Sequence, residues 1–226
     1  MSRITMLVAW SLCWPTSLLW GGETILFEDR FDNGLAAEWQ IVGLQVDDYR
    51  IRDGGLEMRV APAAHTGERP MVKVMLPFTA TDIVTASVEV TILDPLTEPN
   101  EMAGMCLVDE LGPEFCVKKA RVDGQLMFAP PRVEFLGKAG EEPDFGKYSY
   151  TYRPATDEAG PLRIIVRQNY AYFQVGPGED KKYLNFFHSA IRRQTRLRGF
   201  GLTAAGAPEG AEHWVRFDNF RVIRSD

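Results

Sequence analysis

Histidine and cysteine are both scarce: the 226 residues contain three of each. His65, His188 and His213 show no H-x-x-x-H spacing, the pattern that sets two imidazoles on one metal. A G-x-S-x-G nucleophile elbow is missing as well, which argues against a hydrolase of that kind. Basic charge is in deficit, with 25 Lys and Arg against 31 Asp and Glu for a net charge of −6. Nucleic-acid binding normally shows a basic face, so nucleic acid is not an expected partner. The chain also lacks a linker, a low-complexity run and a fixed-period repeat, which favours one domain.

Long apolar runs are confined to the N-terminus, MSRITMLVAWSLCWPTSLLWGGE. Arg3 supplies a basic start, Ile4 to Trp14 an apolar stretch, and Gly21-Gly22 a small-residue cleavage point. The run is short for a membrane span and Pro15 would bend it. Residues 1–22 therefore read as a signal peptide and 23–226 as the mature domain, secreted or periplasmic, or held at the cell surface. An uncleaved anchor or an apolar first strand are the other readings. Cys13 lacks the small residue before it that lipid attachment needs.

Export leaves Cys106 and Cys116 in an oxidising compartment. They flank VDELGPE, a turn between MAGMCLV and FCVKKARV. Met105 and Leu107 match Phe115 and Val117 as a core face, so both cysteines fall on the opposite face. Placed symmetrically about the turn, they are expected to form a cross-strand disulfide; two independent small apolar residues are the alternative.

What is abundant is strand periodicity. ETILFEDRF, DYRIRDGGLEMRV, MVKVML, DIVTASVEVTIL, PLRIIVRQ, AYFQVG and RLRGFGLTA alternate and are punctuated by Gly, Pro, Asp and Asn. Few helices are expected, a short one at LAAEW, and YLNFFHSAIRRQTR reads as strand and loop despite a helical spacing of Phe187 and Ile191. Many short strands with turns between them indicate an all-β sandwich or barrel. In HWVRFDNFRVI, Val215 and Phe217 alternate, as do Phe220 and Val222, but the pairs are out of phase. One extra residue bulged out at Asp218-Asn219 would keep all four in the core.

FEDRFDNG followed by Trp39, then RDGGLEMRV, then GPLRIIVRQNYAYFQVG and the closing WVRFDNFRVI resemble, in order and spacing, the concanavalin A-like lectin/glucanase superfamily. The resemblance covers about Phe27 to Ile223. It implies an antiparallel two-sheet jelly-roll sandwich and a range of functions: glycan-binding modules, glycoside hydrolases, polysaccharide lyases and adhesion domains. It further implies a structural Ca²⁺ tying the first strand to the last. Carried over by position, its ligands are Asp218, the Gly54 carbonyl and Glu28, with Asp29 as the competing choice for the third; an empty bulge is the alternative.

The E-x-D-x-E strand of the superfamily's glycoside hydrolases is missing. After Glu89 come Thr91 and Leu93, so Glu89 reads as an exposed strand residue and no catalytic residue is assigned. The lyase signatures are missing too. A carbohydrate-binding face is expected instead, from Trp214, Arg216, Tyr170, Tyr172, Asn169 and Arg192. Arg192 belongs to the cluster Arg192, Arg193, Arg196 and Arg198, whose guanidinium forks suit an anionic polysaccharide or oligosaccharide. Non-catalytic carbohydrate binding leads, with a glycan-cleaving enzyme and a protein-binding adhesion domain as alternatives.

Overall fold

A computed structural model describes residues 22–62, 70–99, 101–129, 153–176, 183–191 and 197–226. The N-terminal segment, His65 and the arginines at 192, 193 and 196 lie outside the described residues. Two sheets stack face to face. The first, the terminal sheet, runs β14 (Leu184–Ala190), β13 (Tyr170–Val175), β12 (Gly160–Arg167), β7 (Ile83–Ile92), β16 (Trp214–Ser225), β4 (Gly55–Arg59), β3 (Tyr49–Arg52), with β1 (Glu23–Asp29) also on β16. The second runs β11 (Arg153–Pro154), β10 (Gln125–Ala129), β9 (Gly112–Val122), β8 (Met102–Asp109), β15 (Arg198–Ala207), β6 (Met71–Leu76), β2 (Gln40–Val42). Among the described residues, every pairing between these strands is antiparallel except a short parallel one between β5 (Ala61–Pro62) and β15. This is an antiparallel two-sheet jelly-roll sandwich.

Alternation builds the core. Val88, Val90 and Ile92 of β7, with Leu162, Ile164 and Val166 of β12, are buried against Met105, Leu107, Val117, Phe200 and Leu202 of the second sheet. Cys106 and Cys116 are direct register partners joined by a disulfide. They stand on the far face of their sheet in a separate buried cluster with Met71 and Val108.

Val215, Phe217, Phe220 and Val222 are all fully buried. Between Asp218 and Arg221, β16 takes three steps while β7 takes two, from Glu89 to Ser87, so one residue is bulged. The same point is where β16 changes its other partner, from β4 at residues 214–217 to β1 at residues 220–225. Asn219 absorbs the change with a left-handed φ of 52°, a region Asn tolerates better than most residues.

Two expectations are corrected. LAAEW forms a turn, not a helix, because the Asp29 carboxylate accepts the N–H groups of Phe31 and Ala36 and the indole N–H of Trp39. Arg198 is not part of a solvated basic face; it is fully buried and donates to Glu114 at 3.1 Å.

Candidate functional site

The outward face of the terminal sheet carries side chains in rows, because cross-strand partners stand side by side. At one end lies an ionic ladder. Glu57 is nearly fully buried, and accepts hydrogen bonds from Arg50 Nε and Arg216 Nη2, each at 2.7 Å. Burial alone would raise the Glu57 pKa, but the two arginine hydrogen bonds and charges outweigh it and hold the carboxyl below its ordinary value. Gly55 makes room for this: a Cβ there would stand 2.8 Å from Arg216 Cδ. Arg50 in turn lies 3.9 Å above the Trp214 ring.

Next comes the bulge. Glu89 and Asp218 are direct cross-strand partners, two like charges side by side. Burial pushes the Asp218 carboxyl above the usual carboxylate range; Glu89 and Asp32 add repulsion, against the Asn219 N–H and Arg216. Asn219 turns its side chain to Glu89, Nδ2 donating to Oε2 at 3.2 Å. Beside them opens a cleft of about 210 Å³, lined by Glu28, Arg30, Glu89, Tyr183, Asn219 and Arg221, among others. Arg163 stacks on the Tyr183 ring at 3.4 Å. Glu28 is the register partner of Arg221 and lies 3.6 Å from Arg30.

The expected sugar-contact residues divide into two groups. Trp214 and Arg216 belong to the ionic ladder. Tyr170, Tyr172 and Asn169 lie at the other end of the sheet. From Arg216, beside Thr91, to Tyr172, on the row of Thr85, is about 20 Å along the strands and about 14 Å across them. They do not form one platform. Their rings are also engaged: Tyr172 stacks on His188 with centroids 5.8 Å apart and has Arg167 at 4.5 Å. Asn169 is a turn residue with φ 65°, its N–H donating to the Ala80 carbonyl. Arg192 lies outside the described residues.

Of the expected calcium ligands, Asp218 stands with Asp32 in its field, and Gly54, at φ 73°, would bring a Cβ within 3.0 Å of Asp32 Oδ1. Glu28 is engaged with Arg30, and Asp29 is committed to the turn at residues 31–39. Asp32, rather than Glu28 or Asp29, is thus the carboxylate that neighbours both Asp218 and Gly54. Among the described residues, no group of three or more His, Cys, Asp or Glu side chains is already arranged to hold a metal.

The sequence does not single out Tyr183, Asn219, Arg221 and Glu89 as the lining of one cleft. Only the β7–β16 pairing brings Glu89 and Asn219, 130 positions apart, into contact. The usable signal was the phase change itself, since an irregular residue on a central strand aims its side chain where alternation would not.

No protein-family model matches the chain, and no curated protein matches it in sequence. Solved structures do share the fold. The Bacteroides ovatus protein xyloglucan PUL GH43B superposes on 86% of this chain with a TM-score of 0.62 at 15% identity, and the chain spans 38% of its length. The CBM2 module of the evolved Dit of Lactobacillus casei BL23 phage J-1 covers 91% of this chain and is itself covered over 97%, with a TM-score of 0.59 and 8% identity. Lectin I-B4 of Griffonia simplicifolia, in its metal-free form, covers 89% of this chain and 98% of its own, with a TM-score of 0.53 and 7% identity. At these identities the likeness concerns the architecture alone: a jelly-roll β-sandwich.

Proposed function

We propose that this chain is an exported, non-catalytic carbohydrate-binding domain that takes its ligand in the bulge cleft. The observation that carries the reading is the cleft's lining. One aromatic ring, Tyr183, with Arg163 stacked on one of its two faces, stands with carboxylate acceptors, an amide and guanidinium donors in a space of about 210 Å³. A sugar ring needs that combination, an apolar face to stack on and charged partners for its hydroxyls. Arg221 and Arg30 suit an anionic sugar, replacing the basic cluster as the reason to test one. Structural neighbours that include a lectin and a CBM2 module favour a glycan over a protein partner. Glu28 and Glu89 both line the cleft, which keeps glycan cleavage as the second reading; their engagement with Arg30 and Asn219 favours a role as fixed acceptors.

A glycan array run beside a reducing-sugar assay tests both. Retention without new reducing ends, weakened about tenfold or more in Tyr183→Ala and Glu89→Gln, is the expected result. New reducing ends overturn the non-catalytic reading, and unchanged retention in both variants overturns the cleft. For calcium, the proposed set is Asp218, the Gly54 carbonyl and Asp32. A bound ion would stabilise the native state alone, so chelator should lower the melting temperature, and Asp32→Asn should remove that response. An unchanged melting temperature with chelator excludes the ion.

A further inference from the structure

Two steps along β7 from the cleft, the same outward face changes character. Ile25, Ile223, Thr85, Ile165, Tyr172 and His188 are successive cross-strand partners on β1, β16, β7, β12, β13 and β14. They form one unbroken row across six adjacent strands, about 24 Å wide. The row beyond it, toward the end of the sheet, holds Glu23, Ser225, Ile83, Arg167 and Tyr170. Ile25 is 50% exposed, Ile83 42% and Tyr170 40%. A solvent-facing sheet surface is normally polar, and exposed isoleucines and tyrosines gathered on two neighbouring rows, with Thr85 and Arg167 among them, mark an interaction surface.

The chemistry of the patch and its place on the chain select the partner. Its apolar groups are mostly branched aliphatic, which offer a sugar neither a flat ring nor a hydrogen bond. The Tyr172 ring is already stacked on His188 and covered by Arg167. Arg163, Arg167 and Arg221 border the patch, and guanidinium forks match phosphate. Glu23 and Asp226 sit at the outermost edge, where a hydrated headgroup layer accommodates them. The strongest indication is where the chain enters. Gly22 lies beside Asp226, and Glu23 pairs with Ser225, at this end of the sheet and not at the Trp214 end. Where residues 1–22 act as the uncleaved anchor, the apolar run Ile4 to Trp14 is joined to the patch by eight residues, a reach of at most about 28 Å. Aliphatic side chains, tyrosines and arginines together are the composition of a membrane–water interface.

We infer that the Ile25–Ile223–Ile165–Tyr172 row and its neighbours Ile83 and Tyr170 dock this face on a phospholipid surface. This goes beyond the glycan reading and leaves the cleft, on the next rows, at the rim of the contact.

Flotation of the full chain with vesicles of phosphatidylethanolamine and phosphatidylglycerol is the test. Ile25→Ser combined with Ile83→Ser should reduce the bound fraction about tenfold, since each substitution withdraws an exposed aliphatic side chain from the bilayer. Both chains carry the same N-terminal segment, so the difference reads the row. Val46→Ser with Leu111→Ser, at positions 77% and 74% exposed away from this face, should bind as the parent does. Melting temperatures verify that each variant is folded. Equal binding by the row variant and the parent overturns the proposal, as does an equal loss in the Val46/Leu111 control. Loss of glycan retention or of self-association in the row variant, with flotation unchanged, assigns the patch to another partner and overturns it as well.

Discussion

Asn219 shows how one residue can serve the backbone and the site together. Its left-handed φ lets β16 change partner without losing its core phase, and its amide reaches Glu89. The two roles separate by mutation. Asn219→Gly keeps a residue at ease in the left-handed region, so stability should stay within about 0.5 kcal/mol of the parent while glycan retention falls. Asn219→Ala adds the backbone penalty, about 1 kcal/mol, measurable by urea unfolding. Lys119 is the other residue with a consequence of its own. Its ammonium is buried between the sheets and donates to the carbonyls of Val90, Thr156 and Glu158 at 2.9, 2.8 and 2.7 Å. Burial lowers its pKa to about 8, although Asp157 and Glu158 oppose the shift. The unfolded chain therefore holds this proton more tightly than the folded one. Stability should rise as pH climbs from about 8 toward the ordinary lysine value near 10.4, and below about 8 this gain is absent. Urea unfolding at pH 7.5 and 9 should show the increase, of order 1 kcal/mol, and Lys119→Met should abolish the slope. That variant should also cost about 1–3 kcal/mol at pH 7.5, since the carbonyls lose their shared donor.

At the scale of elements, the strands were legible wherever alternation was long. β7, β12 and β16 are where the residue pattern places them, and the phase change in β16 announced its bulge. The short edge elements were not: β2, β5 and β11 have two or three residues each, too few for a period to show. The Leu35–Trp39 turn misled for a different reason, since the carboxylate that shapes it is Asp29, outside the window that a helical spacing inspects. The β8–β9 hairpin was read correctly because local symmetry about its turn fixed the cysteine register, and no distant contact was required. Its disulfide closes a loop with a sequence separation of 10. Replacing both cysteines by alanine should therefore lower stability by about 2–3 kcal/mol, read as a shift of the urea midpoint with little change of slope. The cleft was illegible for the opposite reason: its lining comes from β1, β7, β12, β16, Arg30 and Tyr183, and only long-range pairing assembles it.

For the whole molecule, closure governs both stability and assembly. The central strand β16 pairs with β7 along its length and with β4 and β1 in turn, so the last strand must be in place before the terminal sheet exists. The pairing of β1 with β16 joins opposite ends of the domain, and closing so long a loop is entropically slow. Refolding should accordingly take milliseconds to seconds. The same geometry offers a direct test, because Glu23 and Ser225 are already antiparallel partners that a short turn can join. New termini belong at Asp123-Gly124, whose φ values of 48° and 79° mark an exposed two-residue hairpin turn. In this permutant the β1–β16 contact becomes a local hairpin and the β9–β10 turn is opened, while pairings within each half, such as β8–β9 and β12–β13, keep their sequence separation. Stopped-flow refolding should be severalfold faster than in the parent, with the far-ultraviolet spectrum of the sandwich retained. Refolding at the parent rate would mean that closing the terminal strands does not limit folding.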